Sequence, residues 1–213
     1  LNYIRFQYFM TSMSLPSMSE IDLNSVNTLS SEPVDFSTIF VKRSDGVTTS
    51  DIRHIDLSNT SFWSSNTGIS TFPVNVENYN KLKTIDISNG CITSLSLPNA
   101  ALSELNIVNS TIEKLILKDQ PFIDHVDFSG CTKLQSVEIN NCNKITELDL
   151  RNLGDLTSIT LIGCSNLRKV IASSCSKLSV FSVSNCNQLL EVDLSNCGNA
   201  NLSINLTGAP SLT

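Results

Sequence analysis

The sequence predicts a β-rich solenoid built of two parallel β-sheets, with few or no helices. Three observations lead there: a nine-residue frame that recurs, a strand-like alternation at its centre, and a turn-forming residue at one fixed place after each strand. From Leu82 the frame reads apolar, two variable, apolar, one variable, apolar, two variable, then a small or sulfur residue. LKTIDISNG, ITSLSLPNA, LSELNIVNS, IEKLILKDQ, IDHVDFSGC and LQSVEINNC begin at 82, 92, 102, 112, 123 and 134. ITELDLRNL, LTSITLIGC, LRKVIASSC, LSVFSVSNC, LLEVDLSNC and NLSINLTGA begin at 145, 156, 167, 178, 189 and 201. The spacing is ten, then eleven, then twelve, and twelve consecutive matches are beyond chance.

Positions four to six, as in Ile85-Asp86-Ile87, Leu148-Asp149-Leu150 and Val192-Asp193-Leu194, alternate in, out, in, which is the period of a strand. Position eight is Asn89, Asn99, Asn109, Asp119, Gly130, Asn141, Asn152, Gly163, Ser174, Asn185, Asn196 or Gly208. These residue types accept left-handed backbone or hydrogen-bond to their own turn. One strand and one corner cannot enclose a core, whereas two in succession can. Alternate units then share a sheet, giving coils of 20 to 23 residues. The links of about five residues between strands leave no room for a helix. An ordinary β-sandwich would need hairpin turns and antiparallel order, not one frame kept through the chain.

The frame LxxLxLxx(N/C) resembles that of leucine-rich repeats. Its doubled half-unit, with LxxLDL in alternate halves, is similar to the short irregular class of secreted and surface proteins of bacteria, the internalin-like proteins. The resemblance implies a non-catalytic adhesion module, extracellular or on the cell surface, that recognises protein or glycan. Cysteine-type repeats of ubiquitin-ligase adaptors also end the strand on Cys, but they require a helix in each coil of about 26 residues, which this spacing does not accommodate.

The signature also occurs at wider intervals in residues 1–81: LNYIRFQYF at 1, MSEIDLNSV at 18, FSTIFVKRS at 36, IRHIDLSNT at 52 and ISTFPVNVE at 69. Residues 1–81 are expected to be irregular coils of the same solenoid, or else a separate cap. Residues 82–213 are expected to form about six regular coils. The frame is running at Leu1 and begins again at Leu212, so a piece cut from a longer chain is the expectation.

Composition narrows the function. Charged residues are 16%, and Ser, Thr and Asn supply most of the polarity. A net charge of −6 argues against nucleic acid as a partner. No apolar run is long enough for a membrane span, and LNYIRFQYFM is too polar for the core of a signal peptide. A monomer is expected.

Six of the seven cysteines (Cys131, Cys142, Cys164, Cys175, Cys186 and Cys197) occupy position nine. Gly90, Ala100, Ser110, Leu153 and Ala209 fill the same slot, so it reads as an inward corner where Cys acts as a small buried hydrophobe. Stacking brings Cys142, Cys164 and Cys186 about 4.8 Å apart in one file, so a disulfide is conceivable. The odd total and the linear file argue for free thiols and against zinc. Cys91 falls outside the ladder. No cofactor or metal is expected.

Catalysis finds little support, and the chain is expected not to be an enzyme. His54 and His125 both fall on outward third positions, and neither a GxSxG elbow nor a glycine-rich phosphate loop occurs. The outward files are where recognition is expected. On one face position five reads Asp86, Asn106, Asp127, Asp149, Ile171 and Asp193, and position three reads Thr84, Glu104, His125, Glu147, Lys169 and Glu191. The other face is rich in hydroxyls. The expected partner site is therefore the acidic face: Glu104, Asp124, Asp127, Glu147, Asp149, Glu191 and Asp193, with Arg168 and Lys169 as its basic members. Phe62 and Trp63, in a longer loop, are the competing site. The competing function is an intracellular, cytoplasmic adaptor, for which the reduced thiols speak.

Overall fold

The computed structural model describes residues 3–5, 54–56, 58, 82–90, 92–97 and 101–212. Among these the chain is a β-solenoid of stacked coils, all ladders are parallel, and there is no helix. The strands are β1 (Tyr3–Arg5), β2 (His54–Asp56), β3 (Thr84–Asp86), β4 (Ser94–Leu97), β5 (Glu104–Asn106), β6 (Lys114–Lys118) and β7 (Ser136–Asn140). β8 (Glu147–Asp149), β9 (Ser158–Ile162), β10 (Lys169–Ile171), β11 (Val180–Ser184), β12 (Glu191–Asp193) and β13 (Ser203–Asn205) follow.

Alternate units do fall in one sheet. The second face is a single six-stranded sheet in the order β13-β11-β9-β7-β6-β4. Its register pairs fifth positions with fifth positions, Ile116 with Glu138 and Glu138 with Thr160. The first face differs from the expected continuous sheet. It is divided into β1-β2-β3-β5 and β8-β10-β12, because the unit at 123 forms no ladder strand. Ile123, Val126 and Phe128 of that unit are still buried. The corner before it differs in its residues. Elsewhere the regular two-residue link closes a turn, as in Leu134 N–H to Cys131 C=O at 3.0 Å and Leu167 N–H to Cys164 C=O at 3.1 Å. Before Ile123 the link is Pro121-Phe122, and position nine holds Gln120, fully buried. The Gln120 side chain donates to the Lys118 carbonyl at 2.8 Å and accepts the Leu102 N–H at 3.4 Å. A large amide in a slot built for a small residue, followed by a proline with no N–H, gives a differently shaped corner.

Every described eighth position has positive φ, from 51° at Asn89 to 85° at Gly208. Gly130 shows why some corners admit no side chain: a Cβ there would lie 1.9 Å from Oδ1 of Asn109 in the coil before. Corners also stack on one another, with Asn141 Nδ2 donating to Asp119 Oδ1 at 2.8 Å.

The core runs the length of the stack along positions one, four, six and nine. Val137 and Ile159 are fully buried and Leu148 is 1% exposed. Val192, expected to be as deep, is only partly buried. Its strand pairs with β10 alone, and Leu190, Leu194, Ile204, Leu206 and Leu212 line an open apolar hollow of about 440 Å³ beside it. Ile171 departs in the other direction, since it takes an outward fifth position yet is 9% exposed.

All six described cysteines are free, five of them buried and Cys197 partly so; Cys91 lies outside the described residues. Their preference for the corner has a physical cause. On the first-face side the thiol donates to the sixth-position carbonyl of the previous coil: Cys131 to Ile107 at 3.0 Å, Cys175 to Leu150 at 3.1 Å and Cys197 to Ala172 at 3.0 Å. The slot thus takes a small apolar group that is also a weak donor. Burial pushes the Cys131 and Cys142 thiols up and holds Cys175 at about 11. Cys164 is raised by its hydrogen bond to Cys186 and by burial.

Leu148 tests this packing. Leu148→Ala should cost on the order of 2–5 kcal/mol in urea unfolding, with hydrogen exchange accelerated mainly in the adjacent coils. Exchange rising evenly along the stack would contradict nearest-neighbour packing.

Candidate functional site

The outward rows of the first face are set by backbone register. Lys169 pairs with Glu147 on one side and Glu191 on the other, and Ile171 with Asp149 and Asp193. The Lys169 ammonium bridges to Glu191 at 2.9 Å, and that hydrogen bond raises its pKa. Opposite charges alternate along this row, the arrangement that relieves like-charge stacking.

The fifth-position row has a structural task that the sequence reading did not assign. Asp86, Asp127, Asp149 and Asp193 each accept the backbone N–H two residues on, from Ser88 at 2.8 Å, Ser129 at 2.8 Å, Arg151 at 3.2 Å and Ser195 at 2.9 Å. Asn106 does the same for Val108 at 3.3 Å, and so does Asn205, on β13 of the second face, for Thr207 at 3.1 Å. This is the Asx turn. It engages the seventh-position N–H, and these strands end after three residues, at position five, as β10 also does with Ile171 in that place. On the second face Ile116, Glu138, Thr160 and Ser182 make no such bond, and β6, β7, β9 and β11 run on for five. The acid in LxxLDL therefore holds the backbone of its own corner before it is anything else.

The carboxylates respond accordingly. Asp127 is held below the usual carboxylate range, first by the Ser129 hydroxyl and then by its N–H. Asp193 is lowered in the same way by Ser195, and Ser173 from the neighbouring coil adds to it. Asp149 is lowered chiefly by Arg151, whose guanidinium grips it through Nε at 2.8 Å and Nη2 at 2.5 Å.

Arg151 corrects the expected charge balance. It occupies position seven, outside the files read for outward charge, and it neutralises Asp149 while feeling Glu147 and Asp193 as well. Arg168 and Lys169 are thus not the only basic members of this face. Exposed Glu147, Asp149, Arg168 and Glu191, with partly buried Lys169 and Asp193, form one block on β8, β10 and β12 and the residues flanking them. Glu104 is exposed on β5, in the other sheet. Asp124, His125 and Asp127 are exposed in the gap between the two sheets. The acidic face thus combines a compact mixed-charge block with an acidic edge whose Asp127 still feels Asp149. Phe62 and Trp63 lie outside the described residues. Among the described residues no group of three His, Cys, Asp or Glu side chains is placed to hold a metal ion, and no helix is long and apolar enough to cross a membrane.

Three comparisons with known proteins complete the description: no family model, no curated protein and no solved structure matches this chain.

The Asx turns make a pH prediction. A carboxyl whose folded pKa is depressed contributes stability that is fully present above its unfolded value, near 3.9, and is lost as pH falls through the folded value. The melting temperature should therefore fall as pH is lowered from about 5 to about 2. Asp149→Asn keeps an Oδ1 acceptor for the Arg151 N–H and removes the titration, so its melting temperature should depend less steeply on pH. Equal slopes in the two proteins would contradict the assignment.

Proposed function

We propose that the chain is a non-catalytic recognition module of the leucine-rich-repeat type, exposed at a cell surface or secreted, that presents the β8-β10-β12 face to a protein or glycan partner. The observation behind this reading is the division of labour on that face. Position five is committed to the corners, while Glu147, Lys169 and Glu191 at position three make no bond to their own backbone. Third-position side chains can therefore change without disturbing the ladder beneath them, which is what a recognition surface requires. The parallel stack supplies rigidity, and charged rows set specificity and association rate more than raw affinity. Glu104 and the acidic edge at Asp124 and Asp127 extend the surface. The repeat frame, with LxxLDL in alternate halves, supports the family reading and, through it, the surface location.

A second reading, a cytoplasmic adaptor, is favoured by one observation. Cys131, Cys175 and Cys197 serve their corners as S–H donors, a role that needs reduced thiols. Protection of the chain from protease added outside intact source cells would support this reading, and digestion there would support the first.

Binding is tested by probing a protein and glycan array with the purified chain, then repeating with Glu147→Gln and Glu191→Gln combined. That variant should stay folded, bind at least tenfold more weakly and show a flatter salt dependence. Unchanged binding in that variant, together with loss in Trp63→Ala, would place the site at Phe62 and Trp63 instead.

A further inference from the structure

The Pro121-Phe122 corner carries a second feature, remote in kind from the acidic face. Phe122 is 46% exposed and is the one aromatic among the exposed large hydrophobic residues described. Two ammonium groups from different coils lie against its ring, Lys83 Nζ 5.2 Å and Lys144 Nζ 5.6 Å from the centroid. Both distances are inside the range of a cation–π contact. Neither lysine is ion-paired with a carboxylate among the described residues, whereas Lys118, Arg151, Lys169 and Lys177 are. In a chain of net charge −6, with exposed Asp124 only two residues on, these two ammoniums nevertheless gather around an exposed apolar ring and form no ion pair with Asp124 among the described residues.

We propose that Phe122, Lys83 and Lys144 form a binding point for a carboxylated sugar, such as a uronic acid unit of an anionic glycan. This goes beyond the acidic-face reading and does not depend on it. The chemistry of the ligand follows from what surrounds the ring. The following coils contribute exposed Asn143, Ser165 and Asn166 along this edge, hydrogen-bonded to one another: Asn143 Oδ1 accepts from Ser165 Oγ at 3.0 Å, and Asn166 Nδ2 donates to the Asn143 carbonyl at 2.8 Å. A protein-binding hot spot sits within a wider apolar patch that excludes water, and this aromatic stands alone among amides and hydroxyls. A ligand that matches is small, with an apolar face to pack against the exposed part of the ring beside the ammoniums and a carboxylate on the same unit to pair with them. A pyranose with a C6 carboxylate has both. Proline before the aromatic fixes φ, so little ordering is left to be done on binding.

The full chain is titrated with fluorescently labelled tetragalacturonate, with its methyl ester as the neutral control and an oligoglutamate peptide as the acidic protein-like control. The expected result is saturable binding of the free acid, lost on esterification, with the peptide binding less tightly. Lys83→Gln and Lys144→Gln should each weaken it about threefold, in keeping with exposed charge contacts, and Phe122→Ala about tenfold. Circular dichroism of these surface variants confirms that the fold is retained. Equal binding of the ester, unchanged affinity in Phe122→Ala, or preference for the peptide would each overturn the proposal, as would absence of binding to the free acid. Glu147→Gln with Glu191→Gln, which tests the acidic face, should leave this affinity within twofold.

Discussion

At every described corner the backbone of this chain passes through a left-handed residue, and the rest of the structure depends on that corner. An ordinary L residue resists positive φ at a cost of roughly 1–2 kcal/mol, so the position is confined to Gly, Asn, Asp and Ser. On the first face the corner is prepared one turn earlier by the fifth-position carboxylate or amide, which engages the seventh-position N–H. It is completed by the ninth-position residue, which points inward and, where it is Cys, donates to the coil before. Strand length, coil length and the placement of sulfur all follow from turning the chain at the same point in each unit.

Most of this was legible because solenoid packing repeats. A residue's neighbours are its own counterparts one coil away, so a period in the sequence is directly a register in space, as the pairing of Ser136 with Ser158 and Ser158 with Val180 shows. What the period could not show is what breaks it. Gln120 was not recognised as an occupant of the ninth slot, and the Pro121-Phe122 link has the same length as its neighbours. Length was visible, while the large buried amide at that corner and the gap in the first sheet were not. The depth of Val192 was misjudged because burial in a stack needs a coil on both sides, a condition that one-dimensional periodicity does not encode.

The residues of the candidate site are legible as outward-facing, and their structural partners are not. Alternation told outward from inward, so the acids were located by pattern alone. Their purpose needed hydrogen bonds: Asp127, Asp149 and Asp193 are tied to Ser129, Arg151 and Ser195 two residues on. Arg151 was missed because position seven has no fixed inward or outward sense in a frame that turns there. The only signal available was the Asp-x-Arg spacing, which allows a carboxylate and a guanidinium to meet across an Asx turn. Side chains at position three have no such duty, which is why the proposed recognition surface is placed there, and the mixed charges of Glu147, Lys169 and Glu191 give that row its character.

Side chains, not ladders, hold the amides of Ser88, Ser129, Arg151 and Ser195 on the first face. Residue-resolved hydrogen exchange across a range of pH tests this directly. Protection of Ser88, Ser129, Arg151 and Ser195 should fall as Asp86, Asp127, Asp149 and Asp193 are protonated. Protection of Lys118, Asn140, Ile162 and Ser184, which lie in the second-face strands, should persist. Loss of protection in both sets at the same pH, or in neither, would contradict it.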